Sequence, residues 1–397
     1  MLCVALACAP PAEPEETSQI ASQDAPANVP QEGPVLADDD LVIVDLDAGA
    51  PREDGERAGK IFLSRAADGY ATAIELTRDD TWPEPVDAIV LPDRSLLVLD
   101  SRLVTGAGAQ RGAIFHCAPP SWQPVPWWGD ERARQPVSMA RGPDGTIYVA
   151  DREADPLGLA EAAARAAPDA EPVQTGCVFA IRIEGADDGG PGAVARTEVL
   201  CANQRFVTPA ALLLRNDGVL LVLDADANPH GLVRPDGLPG SPGVLFEVRD
   251  GGPGSRVKPQ ARVVPKQTVS PVGLIAGRAG EVYLVDANGS LEEDTFGDGI
   301  LWRVEGLELQ RVLDTSSLGM PRAMVDPVQG DSLPDGRLVI ADANADPLGL
   351  GEDGTGKGVY GTGRGALLAI DLNIPTLSTL LADERFVSPI AVRRVRP

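Results

Sequence analysis

Positive charge is scarce in this chain. Against 59 Asp and Glu it has 34 Lys and Arg, only four of them Lys, for a formal net charge of −25. A phosphate backbone would be repelled, so nucleic acid is not an expected partner; cations or basic partners suit the chain better. Much of the charge reads as a solvated acidic surface that keeps an exported protein soluble. Aromatic residues are also few, with Phe 7, Tyr 4 and Trp 5, and no long stretch spaces its apolar residues as a helix would. Gly (43) and Pro (36) are abundant instead, which points to short strands joined by turns. There are two histidines, His116 and His230. Neither stands near a convincing Ser or Cys partner in the repeat described below, which argues against a hydrolytic triad.

What the chain does have is repetition. PDGRLVIADANADPLGL from Pro334 recurs as PDGTIYVADREADPLGL from Pro143 and NDGVLLVLDADANPHGL from Asn216, with weaker copies from Pro92, Ala279 and Leu41. Each copy is a tight turn, a strand of alternating apolar residues ending on Asp, and a polar loop. The final residues are Asp45, Asp100, Asp151, Asp224, Asp286 and Asp342, at steps of 55, 51, 73, 62 and 56. Uneven steps of this size imply one closed array with a constant strand core and loops of varying length, rather than two ordinary domains.

A four-strand unit follows. Strand a starts with Pro and usually has a small residue two places on: Pro85-Val86-Asp87, Pro136-Val137-Ser138, Pro209-Ala210-Ala211, Pro271-Val272-Gly273, Pro321-Arg322-Ala323 and Pro389-Ile390-Ala391. Strand b is the Asp-terminated strand. Strand c is led by Gly in five of six copies, as in GAIFHCA from Gly112 and GALLAIDL from Gly365, and strand d is variable. The Asp-Gly turns between a and b suit tight hairpins that need positive φ. Only five such turns lie inside the chain. The sixth strand b is Leu41 to Asp47 and the sixth strand a is Pro389 to Val395, so the two ends complete one blade and close a ring without exposed edges. The fold class is all-β, a six-bladed β-propeller with four-stranded blades.

The P-x-small start, the DG turn, the Asp-terminated strand and the G-x-[IL]-x-x-[IV] strand resemble the blades of NHL-repeat and gluconolactonase-like six-bladed propellers, over nearly all of Leu41 to Val395. That resemblance implies architecture; the family includes lactonases and other metal-dependent hydrolases, lyases and non-enzymatic binding proteins. Its enzymes hold a divalent cation at the channel mouth with carboxylate and Asn side chains. Here the positions two after each Pro are Asp87, Ser138, Ala211, Gly273, Ala323 and Ala391, of which only Asp87 is a ligand by type. Asp87, Ser138 and Arg322 are therefore the candidate channel-mouth residues, with Arg322 a potential anion or ion-pair partner.

The long loops lie between b and c: Arg152 to Thr175, Ala225 to Pro242, Ala287 to Asp298 and Ala343 to Arg364. All emerge on one face, the default binding surface. LAEAAARAA from Leu159 reads as a short helix. Three of these loops share a D-x-[DNE]-x-[DN] spacing: Asp151, Glu153, Asp155; Asp224, Asp226, Asn228; and Asp342, Asn344, Asp346. Three oxygen-bearing side chains around a tight loop suit a hard cation such as Ca2+, and Pro156, Pro229 and Pro347 exclude an EF-hand. The preferred reading is that these side chains accept hydrogen bonds from loop backbone N–H groups as Asx turns.

Cys177 and Cys201 are equidistant from Gly189, so a hairpin of simple register sets them opposite each other, as a disulfide in an oxidising compartment or as two buried thiols; a bulge would shift them apart. Cys117 is left over and is expected to be buried. At the N-terminus, LCVALA followed by Ala7-Cys8 resembles the end of a bacterial lipoprotein signal, with Cys8 the lipidated residue, and ordinary secretion as the alternative. The expected organisation is a signal over 1–8, an acidic Pro-rich tether over 9–38 and the propeller over 39–397. The chain reads as an extracytoplasmic monomer, touching a membrane only through its lipid anchor. It would act as a binding or scaffold protein for a protein or small-molecule ligand through its long-loop face. The rival is a metal-dependent hydrolase or lactonase at the channel mouth.

Overall fold

A computed structural model describes residues 33–51, 57–77, 82–104, 110–166, 175–184, 194–202, 206–227, 243–252, 260–263, 268, 270–287, 299–314, 327–343, 345 and 365–397. These residues form six four-stranded antiparallel sheets arranged as the blades of a propeller. In chain order the inner strands a of the second to sixth blades are Pro85–Val90, Pro136–Arg141, Pro209–Leu214, Pro271–Ala276 and Pro327–Ser332. The first blade is completed by the last strand: Pro389–Arg394 pairs with Leu41–Asp45, which pairs in turn with Lys60–Ser64. The expected closure of the ring by the two ends of the propeller is therefore present.

The repeat motif explains the geometry of every blade. The Pro that opens strand a is the register partner of the Asp that ends strand b: Pro389 with Asp45, Pro85 with Asp100, Pro136 with Asp151, Pro209 with Asp224, Pro271 with Asp286 and Pro327 with Asp342. The register shifts directly after each Pro, so the chain bulges where its missing N–H could not have joined the ladder. The leading Gly of strand c has a matching reason. A Cβ on Gly59, Gly112, Gly176, Gly243 or Gly365 would come within 2.0–2.7 Å of the ring of the Pro that opens the next blade. Gly and Pro thus form a repeated joint between neighbouring blades.

Burial follows the same plan. Alternating apolar residues on strands a, b and c fill six clusters, one in each interface between adjacent blades. The scarce aromatics are concentrated there: Phe62 meets Phe386 edge-on at 5.3 Å between ring centroids, and Phe206 meets Phe246 at 5.0 Å. Phe206 and Phe386 each stand three residues before the strand-a Pro, in RFVTP and RFVSP, and both are fully buried. The a–b turns carry positive φ at Gly145, Gly218, Gly280 and Gly336, as the hairpins require, and at Arg94 in the second blade. The expected helix is present at Leu159–Ala166. No helix of the described residues is long and apolar enough to cross a membrane.

Three expectations are corrected. Strand a of the sixth blade is Pro327–Ser332, six residues beyond the look-alike Pro321-Arg322-Ala323. Arg322 lies outside the described residues, and the position two after the Pro is Gln329. The tether does not run to residue 38: Gly33 N–H donates to Pro120 O at 2.8 Å, Trp122 Nε1 donates to Pro34 O at 2.8 Å, and Leu36 is buried between the first two blades. Cys177 and Cys201 are not bonded to each other. A bulge pairs Cys177 with Ala202 and Cys201 with Val178, so Cys177 enters the core between the second and third blades and Cys201 the core between the third and fourth. Both are buried free thiols, as is Cys117, and burial pushes all three thiols up, Cys117 and Cys201 to about 12.

The ring makes a prediction. Removing residues 389–397 takes out the inner strand of the first blade and should lower the melting temperature far more than removing residues 1–32. Differential scanning calorimetry of the two truncations checks this; equal losses would mean that closure does not stabilise the fold.

Candidate functional site

The acidic loops come first, because three oxygen donors were expected around each. Asp151 is fully buried, and its carboxylate accepts N–H groups from Arg134, Gln135, Glu153 and Ala154 at 2.8–3.1 Å. Asp224 accepts from Val207, Thr208, Asp226 and Ala227 at 2.7–3.2 Å. Asp45 accepts from Val387, Ser388 and Asp47, Asp100 from Glu84 and Arg102, and Asp286 from Ser270. Each carboxylate ties the segment entering strand a to the end of strand b, and four N–H donors leave Asp151 and Asp224 little capacity for a cation.

The other loop oxygens do not join them. Glu153 and Asp226 are exposed, and Asp155 accepts from Leu159 N–H at 2.7 Å and Ala160 N–H at 2.8 Å at the start of the helix. Asn228, Asn344 and Asp346 lie outside the described residues, and Asp342 is buried at the end of its strand like its counterparts. Among the described residues no three acidic, His or Cys side chains converge as a metal site would need. The spacing read as a cation motif therefore serves Asx-type turns in the Asp151 and Asp224 loops.

The axis of the propeller holds the most concentrated polar chemistry. Asp87 is fully buried on strand a of the second blade, and Arg393, from strand a of the first, reaches it through Nη2 at 2.7 and 2.8 Å and Nε at 3.0 Å. The same Nη2 donates to Gln329 Oε1 of the sixth blade at 2.6 Å. On its other side Asp87 accepts Met139 N–H of the third blade at 2.8 Å, with Ser138 Oγ at 3.4 Å, and Ser138 Oγ accepts Leu212 N–H of the fourth at 3.1 Å. The chain of contacts thus crosses five inner strands in ring order. Gly273 of the remaining strand sits so close to the sixth blade that a Cβ would lie 2.0 Å from Val328 O. Asp87 and Ser138 are brought together as expected. Arg393 and Gln329 were missed: Arg393 lies four residues past its Pro, with no repeat partner to mark it, and Gln329 was hidden by the look-alike Pro321.

His116 is also corrected. Its Nε2 lies 2.9 Å from Ser95 Oγ, which donates to Asp93 Oδ1 at 2.6 Å. The order is histidine, serine, carboxylate, with the hydroxyl proton already given to Asp93. A nucleophile needs the histidine between the other two. Both His116 and Ser95 are buried, and the trio fastens an a–b turn.

Toward the a–b turns the axis widens into a cavity of about 710 Å³. It is lined by the second halves of the inner strands and opens on the face opposite the long loops. Arginine dominates its polar lining, with Arg141, Arg278 and Arg394 among the side chains that reach it.

No protein-family model matches the sequence, and no curated protein matches it. Among solved structures the chain is similar to one in the nidogen/laminin complex, at 11% identity and a TM-score of 0.50, over 89% of this chain and 97% of that one. It is similar to a luciferin-regenerating enzyme at 13% identity and 0.50, over 89% and 94%. A streptogramin B lyase aligns at 13% identity and 0.46, over 88% and 91%. At such identities the likeness shows the fold alone.

The carboxylate ties can be tested against the cation reading. Asp224→Ala would leave the buried Ala227 N–H and three part-buried N–H groups without their acceptor, so it should cost about 3 kcal/mol, at roughly 1–3 for a buried unsatisfied group and less where water can reach. Asp226→Ala, on an exposed side chain, should stay within about 0.5 kcal/mol. A cation site would make both matter, and only with the cation present. The pH dependence has a definite sign. Burial pushes Asp45 and Asp224 up to about 6, against the N–H donors that pull them down. The folded state therefore binds these protons more tightly than the unfolded chain. The stability they contribute is full below the ordinary carboxylate range and is lost as pH rises through about 6. Asp130 and Asp383, held low by Arg132 and Arg385, lose theirs only as pH falls below that range. Urea unfolding at pH 5 and 7 should show Asp224→Ala removing part of the wild-type decline.

Proposed function

We propose that this propeller is an exported, non-catalytic binding or scaffold protein. The observation that carries the reading is the buried Asp87–Arg393 pair. The one carboxylate that the inner strands offer near the channel mouth is taken up by a guanidinium, a backbone N–H and a hydroxyl, all from its own fold. The other positions two after the strand-a Pro are Ser138, Ala211, Gly273, Gln329 and Ala391, which supply no further carboxylate. A metal-dependent hydrolase of the lactonase type would need several such oxygens free and convergent.

The long-loop face is the surface proposed for a protein partner. What supports it is chain length concentrated in four loops on one side, most of which lies outside the described residues. Export and attachment through Cys8 are supported by the LCVALAC sequence and by the acidic, Pro-rich stretch after it, which also lie outside the described residues. If Cys8 is the lipidated residue, Cys8→Ala expressed in a bacterial host should move the protein from the membrane fraction to the soluble one.

Asp87→Ala separates the two readings of the axis. It leaves Arg393 buried without its carboxylate, which should cost about 3–5 kcal/mol. That loss should be the same in a chelator as in millimolar calcium, manganese or zinc, and wild-type melts should not respond to those metals. Metal-dependent lactone hydrolysis that disappears in Asp87→Ala would overturn the binding-protein reading.

A further inference from the structure

The cavity at the a–b turn face has the opposite charge balance to the molecule that contains it. Seven arginines line it against three acidic side chains, Asp217, Glu281 and Asp331, whereas acids outnumber bases 59 to 34 in the whole chain. Four of the arginines are neutralised at short range. Arg94 meets Asp38, Arg215 meets Asp217 and Glu247, Arg393 meets Asp87, and Arg396 meets Asp331. Two of the three lining acids are used up in these pairs.

Of the remaining three arginines, two have no partner and the third has only a long one. Arg141, at the end of the third blade's inner strand, and Arg278, in the fifth blade's a–b turn, are exposed, and neither side chain makes an ion pair or hydrogen bond among the described residues. Arg394, in the first blade, has 16% of its side chain exposed; its Nε is buried without a hydrogen-bond acceptor, and the carboxylate of Asp39 is 3.9 Å away. The only lining acid outside the pairs is Glu281, which accepts Ala279 N–H. Unpaired Arg141 and Arg278 and the loosely paired Arg394 come from the third, fifth and first blades, every second blade around one opening.

We propose that this cavity binds a small organic anion with two or three carboxylate or phosphate groups, held by Arg141, Arg278 and Arg394. The volume lies within the roughly 300–1,000 Å³ of small-molecule sites, and each guanidinium fork matches a carboxylate or phosphate in geometry. Apolar walls from Ile89, Leu213 and Leu274 keep the local dielectric low and focus the arginine field inward, so a positive well persists within an acidic protein. This site lies opposite the long-loop face and does not depend on a partner there.

Isothermal titration with citrate, pyrophosphate and glucose 6-phosphate at fixed ionic strength, with glucose as the neutral control, tests the proposal. At least one anion should bind saturably and glucose should not. Citrate alone binding identifies a polycarboxylate site, and the phosphates alone a phosphate site. Arg141→Gln and Arg278→Gln should each raise Kd tenfold or more while leaving the melting temperature of the free protein unchanged, since neither side chain has a partner to lose. Arg152→Gln, on the other face, should leave Kd unchanged. The proposal is overturned if none of the three anions binds at 10 mM, or if binding is indifferent to Arg141→Gln and Arg278→Gln.

Discussion

The carboxylate that ends each second strand is the constraint on which the architecture rests. A buried Asp is costly unless its oxygens find donors, and here the donors are backbone N–H groups of the segment about to enter the inner strand of the same blade. The side chain therefore fixes where one blade ends and the next strand begins. Proline supplies the complementary half: it pairs with that Asp, donates nothing to the ladder, and starts the bulge that turns the inner strand toward the axis. Glycine completes the joint, because only a residue without Cβ lets the third strand of one blade lie against the proline of the next. Asp, Pro and Gly at fixed offsets are thus one mechanical unit, repeated around the ring.

That unit leaves the axis free to vary. The inner strands present mostly small residues there, and the polar exceptions have condensed into one network in which Arg393 bridges Asp87 and Gln329. A buried ion pair of this kind contributes little net stability compared with apolar packing, but removing one partner is expensive. Its effect is to lock the first blade, which holds the closing strand, to the blades on either side of it. The strand that closes the ring therefore also supplies the central residue of the axis network.

The two faces of the disc follow different logic. Chain length has accumulated in the sequence between strands b and c, whose bases the Asp ties fasten to the segment entering strand a. On the other face the a–b hairpins are short, and charge has accumulated instead: arginines from the ends of the inner strands and from the a–b turns converge because the strands themselves converge. Convergence of strands concentrates whatever side chains their ends carry, so a modest number of arginines makes a basic cavity in an acidic protein.

The sequence by itself determined the blade count, the four-strand unit, the hairpin turns, the helix at Leu159 and the pairing of the first and last strands. All of these are local patterns or counts, legible because the repeat restates them six times. Tertiary structure alone decided three matters. Pro327 opens the sixth inner strand, because it is the register partner of Asp342. A single bulge sends Cys177 and Cys201 into different cores, since a shift of one residue reverses the side of the sheet that a side chain faces. Arg393, Asp87 and Gln329 share an axis although up to 306 residues separate them, and no repeat marks them, because each comes from a different blade and they meet only when the ring closes.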